Sequence, residues 1–549
     1  MIAKKCLAVD NCRTPSNRSP YAPSRRSVMR ACKILMLVAL LQFVSDISGW
    51  EHFASSSSYG LCLFGVRAVA AAPLRAGAAK IEITHEDSGP VNDRLFARAL
   101  VIKDDTQTLV LVSVDAVAIG EIGPIRKDYL GKVRTALAQE ADIKPHQILI
   151  NASHCHGIVC GDVAERTVKV VKEALANLEP VRVGTGVGHE DRISENRRLK
   201  LKSGREADVR HAYSLPPDEE VEAVGPIDPE IGILRLDALD GRNKAVLYQF
   251  ACHPIQGVPT GGNTADLTGF SSKVIEENLS EGAIALFWQG CGGDINPIMY
   301  KQVDQPRDAE TLGNLLGLST LRAFRKIKCQ ETAALKVLAE QLELPRADLA
   351  QRIITLQAEQ AELVGSLKGT SLNLKTFLPL MIKYNLASEY PAFYSHRYLH
   401  EKNLGRTDLE KLDADNRRNI EAYIKNIHVM EQLTRVQTNL ALLKMHHAQN
   451  LEAGKRTIDV EVAGVRVGDF VLVTFPGELT VRIGLNIKKS SPYPRTFVSG
   501  YTNGYIYYAP TDEQLQNVGN AQEDSDSLLA APWQKIFEAK VAELLKKLD

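Results

Sequence analysis

Short apolar segments that favour β-strands alternate with amphipathic segments from Pro73 onward, and no other feature of the sequence constrains the fold as strongly. Several of these apolar segments are hydrophobic on both faces, as strands are when a sheet is covered on both sides. Strands that alternate with helices predict a layered α/β domain. The predicted strands are 99–103, 108–114, 147–151, 245–251, 283–288 and 470–475, and the predicted helices include 126–138, 163–178 and 271–278.

The segment 332–455 has a different pattern, because strand-like runs are absent and helical periodicity replaces them. Thr407 and Glu410 fit a capping box at the start of a helix. We therefore predict a helical insertion between two parts of one α/β domain, 73–331 and 456–549, the second ending in an amphipathic helix. The insertion is either a packed buttress or a wall or lid over a pocket. Its apolar residues at helical spacing are Ile420, Ile424, Ile427, Val436, Leu440 and Leu443.

The overall charge is balanced, because 66 Lys and Arg residues stand against 66 Asp and Glu residues in 549. With 44% hydrophobic and 24% charged residues, this is the composition of a globular protein and not of a disordered chain. Proteins that bind nucleic acid or an acidic membrane do so through a sustained basic surface. The neutral balance therefore predicts no nucleic-acid partner and gives no general case for a membrane partner.

Residues 1–72 differ in composition from the rest of the chain. Basic residues between 25 and 33 precede an apolar run at 34–44, and small residues accumulate at 68–72. This order of basic, apolar and cleavage regions is typical of an export signal, and a start at Met29 would give it a conventional length. We predict an exported protein, periplasmic, secreted or at the cell surface, without a span in the mature chain, because a spanning helix needs about 20 apolar residues. The alternative is an uncleaved anchor.

Five cysteines lie beyond this leader, and they show neither a CxxC pair nor the spacing of a disulfide scaffold. We therefore expect the fold to be stabilised by its core and not by cross-links. A bridge from Cys155 or Cys160 to a neighbour stays open. The five are Cys155, Cys160, Cys252, Cys291 and Cys329.

Polar residues capable of chemistry follow four of the predicted strands directly. In α/β sheets, ligands bind outside the carboxyl ends of the strands, so these four loops are expected to converge on one crevice. The loops are ASHCHG at 152–157, CHP at 252–254, QGCGGD at 289–294 and PGE at 476–478.

Two histidines from separate loops and a glutamate are the donors of a catalytic zinc site that keeps one position open for water. Such a zinc lowers the pKa of its water and polarises a carbonyl, which allows hydrolysis of an amide or ester. His154 and His156 point the same way if they lie on a strand end, but one of them is equally well a ligand and the other a hydrogen-bonding neighbour.

Competing enzyme classes find less support. The metallo-β-lactamase pattern requires an Asp-His pair directly after the HxH motif, and Gly157, Ile158 and Val159 occupy those positions. No GxSxG segment follows any predicted strand, so a serine nucleophile elbow is also unsupported. Cys155 between two histidines suggests a thiolate nucleophile only weakly.

Taken together, nine short segments in this order resemble the catalytic domain of the neutral/alkaline, non-lysosomal ceramidase family. The resemblance extends over nearly all of the sequence after the leader. The segments are AGAAKIEIT at 76–84, NASHCHG at 151–157, NRR at 196–198, GPIDPE at 225–230, ACHP at 251–254, ADLTGF at 265–270, GDINP at 293–297, PGELT at 476–480 and YIYY at 505–508.

The resemblance implies a layered mixed-sheet zinc amidohydrolase with one zinc ion. It implies that His154, His253, Glu478 and a tyrosine hold the metal, the tyrosine being Tyr508 with Tyr505 as the alternative. It also implies that His156 lies beside the metal and orients water or the substrate oxygen. Arg197 becomes an anchor for an anionic or carbonyl oxygen, although an arginine taken alone is more often a surface ion-pair partner.

Three departures from the family bear on the substrate. The serine of the family's catalytic centre aligns with Asn296, which donates hydrogen bonds to an oxyanion but is no nucleophile. The glycine-rich loop after the HxH motif is shortened to 157–162, and the family's C-terminal β-sandwich is not found. Asp294 either holds a metal-ligating histidine or caps a following helix or turn.

These observations predict an exported zinc hydrolase that cleaves an amide, N-acyl, bond in a small or lipid substrate, with a ceramide-like lipid as one option. His156 and Asn296 would steady the oxyanion or shuttle a proton, with Arg197 and Asp294 also in the catalytic centre. The alternatives are a hydrolase of the same fold acting on an acyl sugar or amino compound, and a decayed metal-binding protein.

Overall fold

The computed structural model describes residues 74–209, 215–298, 300, 302, 304–517 and 521–549. Its strands are β1 (Arg75–Glu82), β2 (Phe96–Lys103), β3 (Thr108–Val114), β4 (Ile148–Ala152), β5 (Glu179–His189), β6 (Ser194–Asn196), β7 (Arg198–Leu201), β8 (Glu206–Asp208), β9 (Val221–Val224), β10 (Glu230–Ala238), β11 (Asn243–Phe250), β12 (Ile284–Gln289), β13 (Ile295–Pro297), β14 (Leu335–Pro345), β15 (Thr457–Val467), β16 (Phe470–Thr474), β17 (Glu478–Leu479), β18 (Thr496–Ser499) and β19 (Tyr508–Ala509). Its α-helices are α1 (Tyr129–Ala141), α2 (Val163–Ala176), α3 (Asp266–Glu277), α4 (Ala309–Phe324), α5 (Ala350–Ser366), α6 (Leu374–Leu386), α7 (Ser395–Asn403), α8 (Asp408–Ala453), α9 (Val481–Ser490), α10 (Gln522–Ser525) and α11 (Trp533–Lys547).

The largest sheet has eight strands in the order β12-β11-β10-β5-β1-β2-β3-β4. It is mixed, because β3–β4 and β11–β12 are parallel pairs while the other neighbours are antiparallel. Its two four-stranded halves join only at β1 and β5, through the pairs Arg75–Pro180 and Ala76–Glu179. Backbone pairing therefore divides the sheet into two halves that share one corner.

A second sheet, in the order β14-β15-β16-β18, packs against the first. Apolar side chains of both sheets, such as Leu247 and Trp288 from one and Leu472 and Phe497 from the other, form the core between them. Helices α1 to α4 cover the outer face of the first sheet, and α9 and α11 cover the second. The result is a layered α/β fold of two sheets between helices, which confirms the predicted fold class.

Strand β12, at one edge of the large sheet, is linked to β4 at the other edge and to its neighbour β3 by side chains instead of a backbone ladder. The Ser113 hydroxyl donates to the Phe287 carbonyl at 2.6 Å, and the Gln289 N–H donates to Oδ1 of Asn151 at 2.8 Å. The Asn151 amide also donates to the Gly500 carbonyl at 3.0 Å, just after β18 of the second sheet. We call this contact the seam. It brings the carboxyl ends of strands from both halves, and from the second sheet, to one place.

The predicted elements differ from the observed ones mainly at the start of the insertion. The expectation that strands are absent after 332 is wrong for Leu335–Pro345, which pairs along its whole length with β15. The helical run therefore begins at Ala350. Thr407 lies at the N-cap of α8, but its side chain makes no capping hydrogen bond. The division of the chain into separate domains stays a prediction.

Helices α5 to α8 form a long arm. The 46 residues of α8 extend over about 69 Å, because an α-helix rises about 1.5 Å per residue. At its base Asn450 donates to the Ala347 carbonyl at 2.9 Å, and further out Asn426 donates to the Lys368 carbonyl at 2.7 Å. Helix α5 therefore runs antiparallel to the second half of α8, while α6 and α7 flank its first half.

The cysteine prediction is confirmed where it can be checked, since all five cysteines beyond the leader are unbridged. The leader itself, residues 1–72, lies outside the described residues. Among the residues described, no helix combines the length and the apolar character that crossing a bilayer requires.

A substitution at Gly77 would measure how closely β1 packs against α2. A Cβ at this position would lie 1.9 Å from the Ala174 carbonyl oxygen of α2, so backbone must move to accept it. We expect Gly77→Ala to lower the free energy of unfolding by about 3 kcal/mol, at the upper end of ordinary overpacking. Gly131→Ala, at an exposed position of α1, is the control, because its Cβ would meet no atom within 4 Å. Alanine there should instead stabilise the helix by about 1 kcal/mol. Urea unfolding measures both, and equal effects would contradict the packing.

Candidate metal centre

His154 is held rigidly at the end of β4. Its backbone adopts φ 71°, a left-handed conformation that non-glycine residues seldom take, and its side chain is 2% exposed. The Nδ1 atom lies 2.6 Å from the Val117 carbonyl oxygen. Because a carbonyl oxygen only accepts, Nδ1 carries the proton and Nε2 keeps its lone pair.

His253 comes from the other half of the large sheet, and Glu478 comes from a short two-stranded ladder that follows β16 of the second sheet. His253 follows β11, and its Nδ1 lies 3.0 Å from the Ile295 carbonyl oxygen, which fixes the same tautomer as in His154. Glu478 begins β17 and pairs in register with Tyr508 of β19, so the backbone ladder places this carboxylate and this phenol side by side.

These three predicted ligands converge on one point. Oxygen Oε2 of Glu478 lies 3.1 Å from Nε2 of His253 and 3.5 Å from Nε2 of His154. One donor atom from each of the three residues lies within 4.8 Å of the others, and all three residues are buried. The structure thus brings together side chains separated by more than 300 positions in the sequence.

The charge distribution of this cluster favours a bound cation. Burial lowers the pKa of His154 to about 4, so its imidazole is neutral near pH 7. Burial raises the pKa of Glu478, but the neighbouring His154 and His253 and the Tyr505 hydroxyl outweigh it, so the pKa falls well below its usual range. The lone pair of neutral His154 and the Nε2 atom of His253 therefore face an ionised carboxylate. Three electron-pair donors in one buried place are the donor set of a metal ion.

Three tyrosines surround the carboxylate. The hydroxyls of Tyr501 and Tyr505 donate to Oε2 and Oε1 of Glu478, the first at 3.2 Å. The Tyr508 hydroxyl lies 3.5 Å from Nε2 of His253, and its ring stacks with that imidazole. Tyr508 is thus on the imidazole side of the cluster, and Tyr505 on the far carboxylate oxygen. Tyr501 was not identified from the sequence, where nothing separates it from other tyrosines.

Arg197 is fully buried beside the cluster and is no surface ion-pair partner. It donates to the Tyr508 hydroxyl at 3.1 Å, to Oδ1 of Asn296 at 3.2 Å and to the Gly293 carbonyl at 2.6 Å. Its charge is balanced by Glu523 of α10 at 2.6 Å, a residue that the sequence did not identify. Asn296 therefore lies behind Arg197, and it is not among the residues that line the cavity.

The other predicted catalytic residues occupy different places. Asp294 accepts from the Val481 N–H at 2.7 Å, at the start of α9, and from the Asn196 amide at 3.2 Å, so it caps a helix remote in sequence. His156 is exposed, with its ring 5.8 Å from that of His154, and it lines the cavity. Burial raises the pKa of Cys155 far above its ordinary value, which opposes a thiolate there.

A cavity of about 1030 Å³ opens onto the cluster. Its walls combine the polar residues above with apolar side chains, including Leu442 and Met445 of α8. The helical insertion thus forms part of the wall. Next to them, buried His446 of α8 lies 2.7 Å from Asp526, which also lines the cavity. A second cavity of about 1010 Å³ along β5 contains none of the cluster residues.

The fold has solved counterparts. It is similar to the crystal structure of neutral ceramidase from Pseudomonas aeruginosa, at 17% identity over 87% of this chain and 75% of that chain, with a TM-score of 0.54. A ceramidase complexed with C2 is similar at 16% identity over the same shares, with a TM-score of 0.53. No protein-family model and no curated protein matches the sequence. The chain therefore adopts, in a divergent form, the fold of the neutral ceramidases.

Proposed function

We propose that the chain is a zinc-dependent hydrolase of the ceramidase type that cleaves an amide bond. The observation that carries the proposal is the convergence of His154, His253 and Glu478, with two imidazole nitrogens and an ionised carboxylate facing one another in a buried place. Two nitrogens and one oxygen suit zinc, so His154, His253 and Glu478 would hold it, with Tyr508 beside them. When bound there, zinc supplies a Lewis acid and lowers the pKa of water.

The residues of the chain account for binding and orientation. The Nδ1 contacts of His154 and His253 with backbone carbonyls fix both rings, as partners of metal-binding histidines ordinarily do. Arg197 lines the cavity with a permanent positive charge, which favours a carbonyl oxygen as it becomes negative. His156 stands exposed at the same cavity, where it is placed to exchange a proton with the leaving group. Asn296 acts by holding Arg197.

The cavity supports an acyl substrate. It places apolar walls, among them Ile255, Val258 and Leu442, next to the polar cluster, as an N-acyl chain attached to a polar headgroup requires. The names of the similar structures add ceramide as the first compound to test. The replacement of the family serine by Asn296 keeps a non-sphingolipid amide or ester as the second candidate. The leader-like composition of 1–72 supports export.

Removal of the metal tests the proposal. Purified protein is expected to contain about one zinc per chain, to lose hydrolysis of a short-chain ceramide or another acyl amide after chelation, and to regain it with zinc. A panel of acyl amides and esters, including acyl sugars and acyl amino acids, separates the two candidate substrate classes. Full activity in zinc-free protein would overturn the metal mechanism, and zinc binding with no activity on the whole panel would favour a decayed site.

A further inference from the structure

The outer end of the arm exposes an unusual number of large apolar side chains. We call residues 368–406, which include α6 and α7, the arm tip. Along α6 the exposed apolar residues are spaced by four, which places them on one side of the helix. Their exposed fractions are 59% for Leu374, 44% for Leu378, 54% for Ile382 and 83% for Leu386.

Helix α6 is firmly docked through its other side. The Phe377 ring stacks on Tyr423 of α8 with centroids 4.3 Å apart, and the Tyr384 hydroxyl donates to Asp413 of α8 at 2.8 Å. Asn373 caps the helix by accepting from the Thr376 N–H at 3.2 Å. The apolar stripe is therefore a fixed, outward surface of a folded helix and not the result of fraying.

Aromatic side chains continue the stripe beyond α6. Phe393 is 56% exposed and Tyr394 is 81% exposed, in the short connection to α7. Leu399 on α7 is 54% exposed. Tyrosine and phenylalanine at the border between an apolar and a polar surface are typical of the interface of a lipid bilayer.

The charge of the arm tip differs from that of the whole chain. Six Lys and Arg residues stand against two Glu residues in 368–406, whereas the whole chain is neutral. Glu401 pairs with Arg397 at 3.1 Å, and Lys383 donates to the Ala392 carbonyl at 2.9 Å and not to a glutamate. Lys375 and Lys383 flank the stripe itself. An apolar stripe bordered by lysines is the pattern of a helix that lies in the surface of an anionic membrane.

We propose that the arm tip docks on an anionic lipid surface. A second copy of the chain would suit the apolar stripe, but a two-fold symmetric contact would bring Lys375 and Lys383 of both copies together. An anionic lipid surface would bury the apolar stripe, and its headgroups would pair with the two lysines. The proposal does not depend on the hydrolase chemistry, because Asn426 of α8, which contacts Lys368 at the start of the arm tip, lies about 28 Å along α8 from Met445 in the cavity wall.

Vesicle sedimentation of the full chain tests this docking. We expect binding to vesicles of phosphatidylcholine with about 30% phosphatidylserine, and much weaker binding to phosphatidylcholine alone. Lys375→Glu with Lys383→Glu should weaken it at least about 20-fold, since each lysine contributes about five-fold. Leu378→Glu with Ile382→Glu should weaken it similarly. The controls are Lys169→Glu with Lys273→Glu, and Val224→Glu with Leu239→Glu, all at exposed positions elsewhere.

Residues 1–72 are the same in every variant, so differences between variants report the arm tip. A second measurement is local: Tyr394→Trp places an indole at the tip, and its fluorescence should be quenched by brominated lipid in anionic vesicles only. Binding that is equal in test and control variants, or an indole that brominated lipid leaves unquenched, would overturn the proposal. Self-association that Leu378→Glu with Ile382→Glu abolishes, without vesicle binding, would also overturn it and assign the stripe to a second copy.

Discussion

Replacing His253 by alanine is expected to abolish stoichiometric zinc binding and to reduce amide hydrolysis to the background rate. The substitution removes one of the two imidazole nitrogens that face the Glu478 carboxylate, and leaves Glu478 with a single imidazole partner. Loss of a group that merely orients a zinc ligand already costs about 10- to 100-fold in affinity, and loss of the ligand itself costs more. Zinc content after dialysis and hydrolysis of the best substrate measure the two effects.

His189→Ala is the control for this substitution. His189 is an exposed histidine at the end of β5, and its Nε2 lies 3.4 Å from Asp191, away from the cluster. It should keep full zinc content and activity. If His253→Ala retained one zinc per chain with an unchanged affinity, the metal would be held elsewhere and the cluster would need another explanation.

Glu523→Gln is expected to lower the free energy of unfolding by about 3–5 kcal/mol. Glu523 is fully buried, and it faces two buried guanidinium groups: Arg197 at 2.6 Å and Arg198 at 3.3 Å. Asp524 compensates Arg198 at 2.8 Å, but Arg197 has no comparably close carboxylate among its described hydrogen bonds. The substitution would therefore leave a buried positive charge without its balancing negative charge, which is the costly case.

Urea unfolding of Glu523→Gln beside Glu513→Gln provides the comparison. The Glu513 side chain is 87% exposed and lies 3.9 Å from Arg482, so its loss should change stability by less than about 1 kcal/mol. Because Arg197 also reaches Tyr508, Glu523→Gln should reduce hydrolysis even where the protein remains folded. Equal stability of both variants would show that water or another group compensates Arg197.

The parts of the site that follow strands were predictable from the sequence. His154, His253 and Glu478 come directly after apolar strands, and strand ends are where ligands bind in such sheets. Tyr508 was reached only through the family resemblance, since a tyrosine gives no local signal of metal binding. Glu523 and Tyr501 gave no signal at all. Their importance arises from burial against Arg197 and Glu478, which no local pattern encodes.

The strand β14 shows why part of the fold was missed. Its sequence, LKVLAEQLELP, is rich in Leu, Ala, Glu, Gln and Lys, which favour helices when taken alone. Pairing with the valine-rich β15 over eleven residues outweighs that preference. For Asn296 and Asp294, proximity to a glycine-rich loop in sequence does not tell which way a buried side chain points, so their orientation toward Arg197 and toward the start of α9 came only from the structure.

The position of the metal centre beside the seam determines what a bound ion would do to the stability of the whole fold. His154 follows a strand of one half of the large sheet, His253 follows a strand of the other half, and Glu478 lies in the short β17–β19 ladder, while the halves themselves share only two backbone pairs at their common corner. A single ion would therefore join three elements of the fold that are otherwise held together at this end by side-chain contacts and by backbone hydrogen bonds such as Ala152 N–H to the Tyr501 carbonyl at 3.1 Å. Because such an ion would bind the folded arrangement and not the unfolded chain, its removal would lower resistance to unfolding together with any hydrolysis that depends on it.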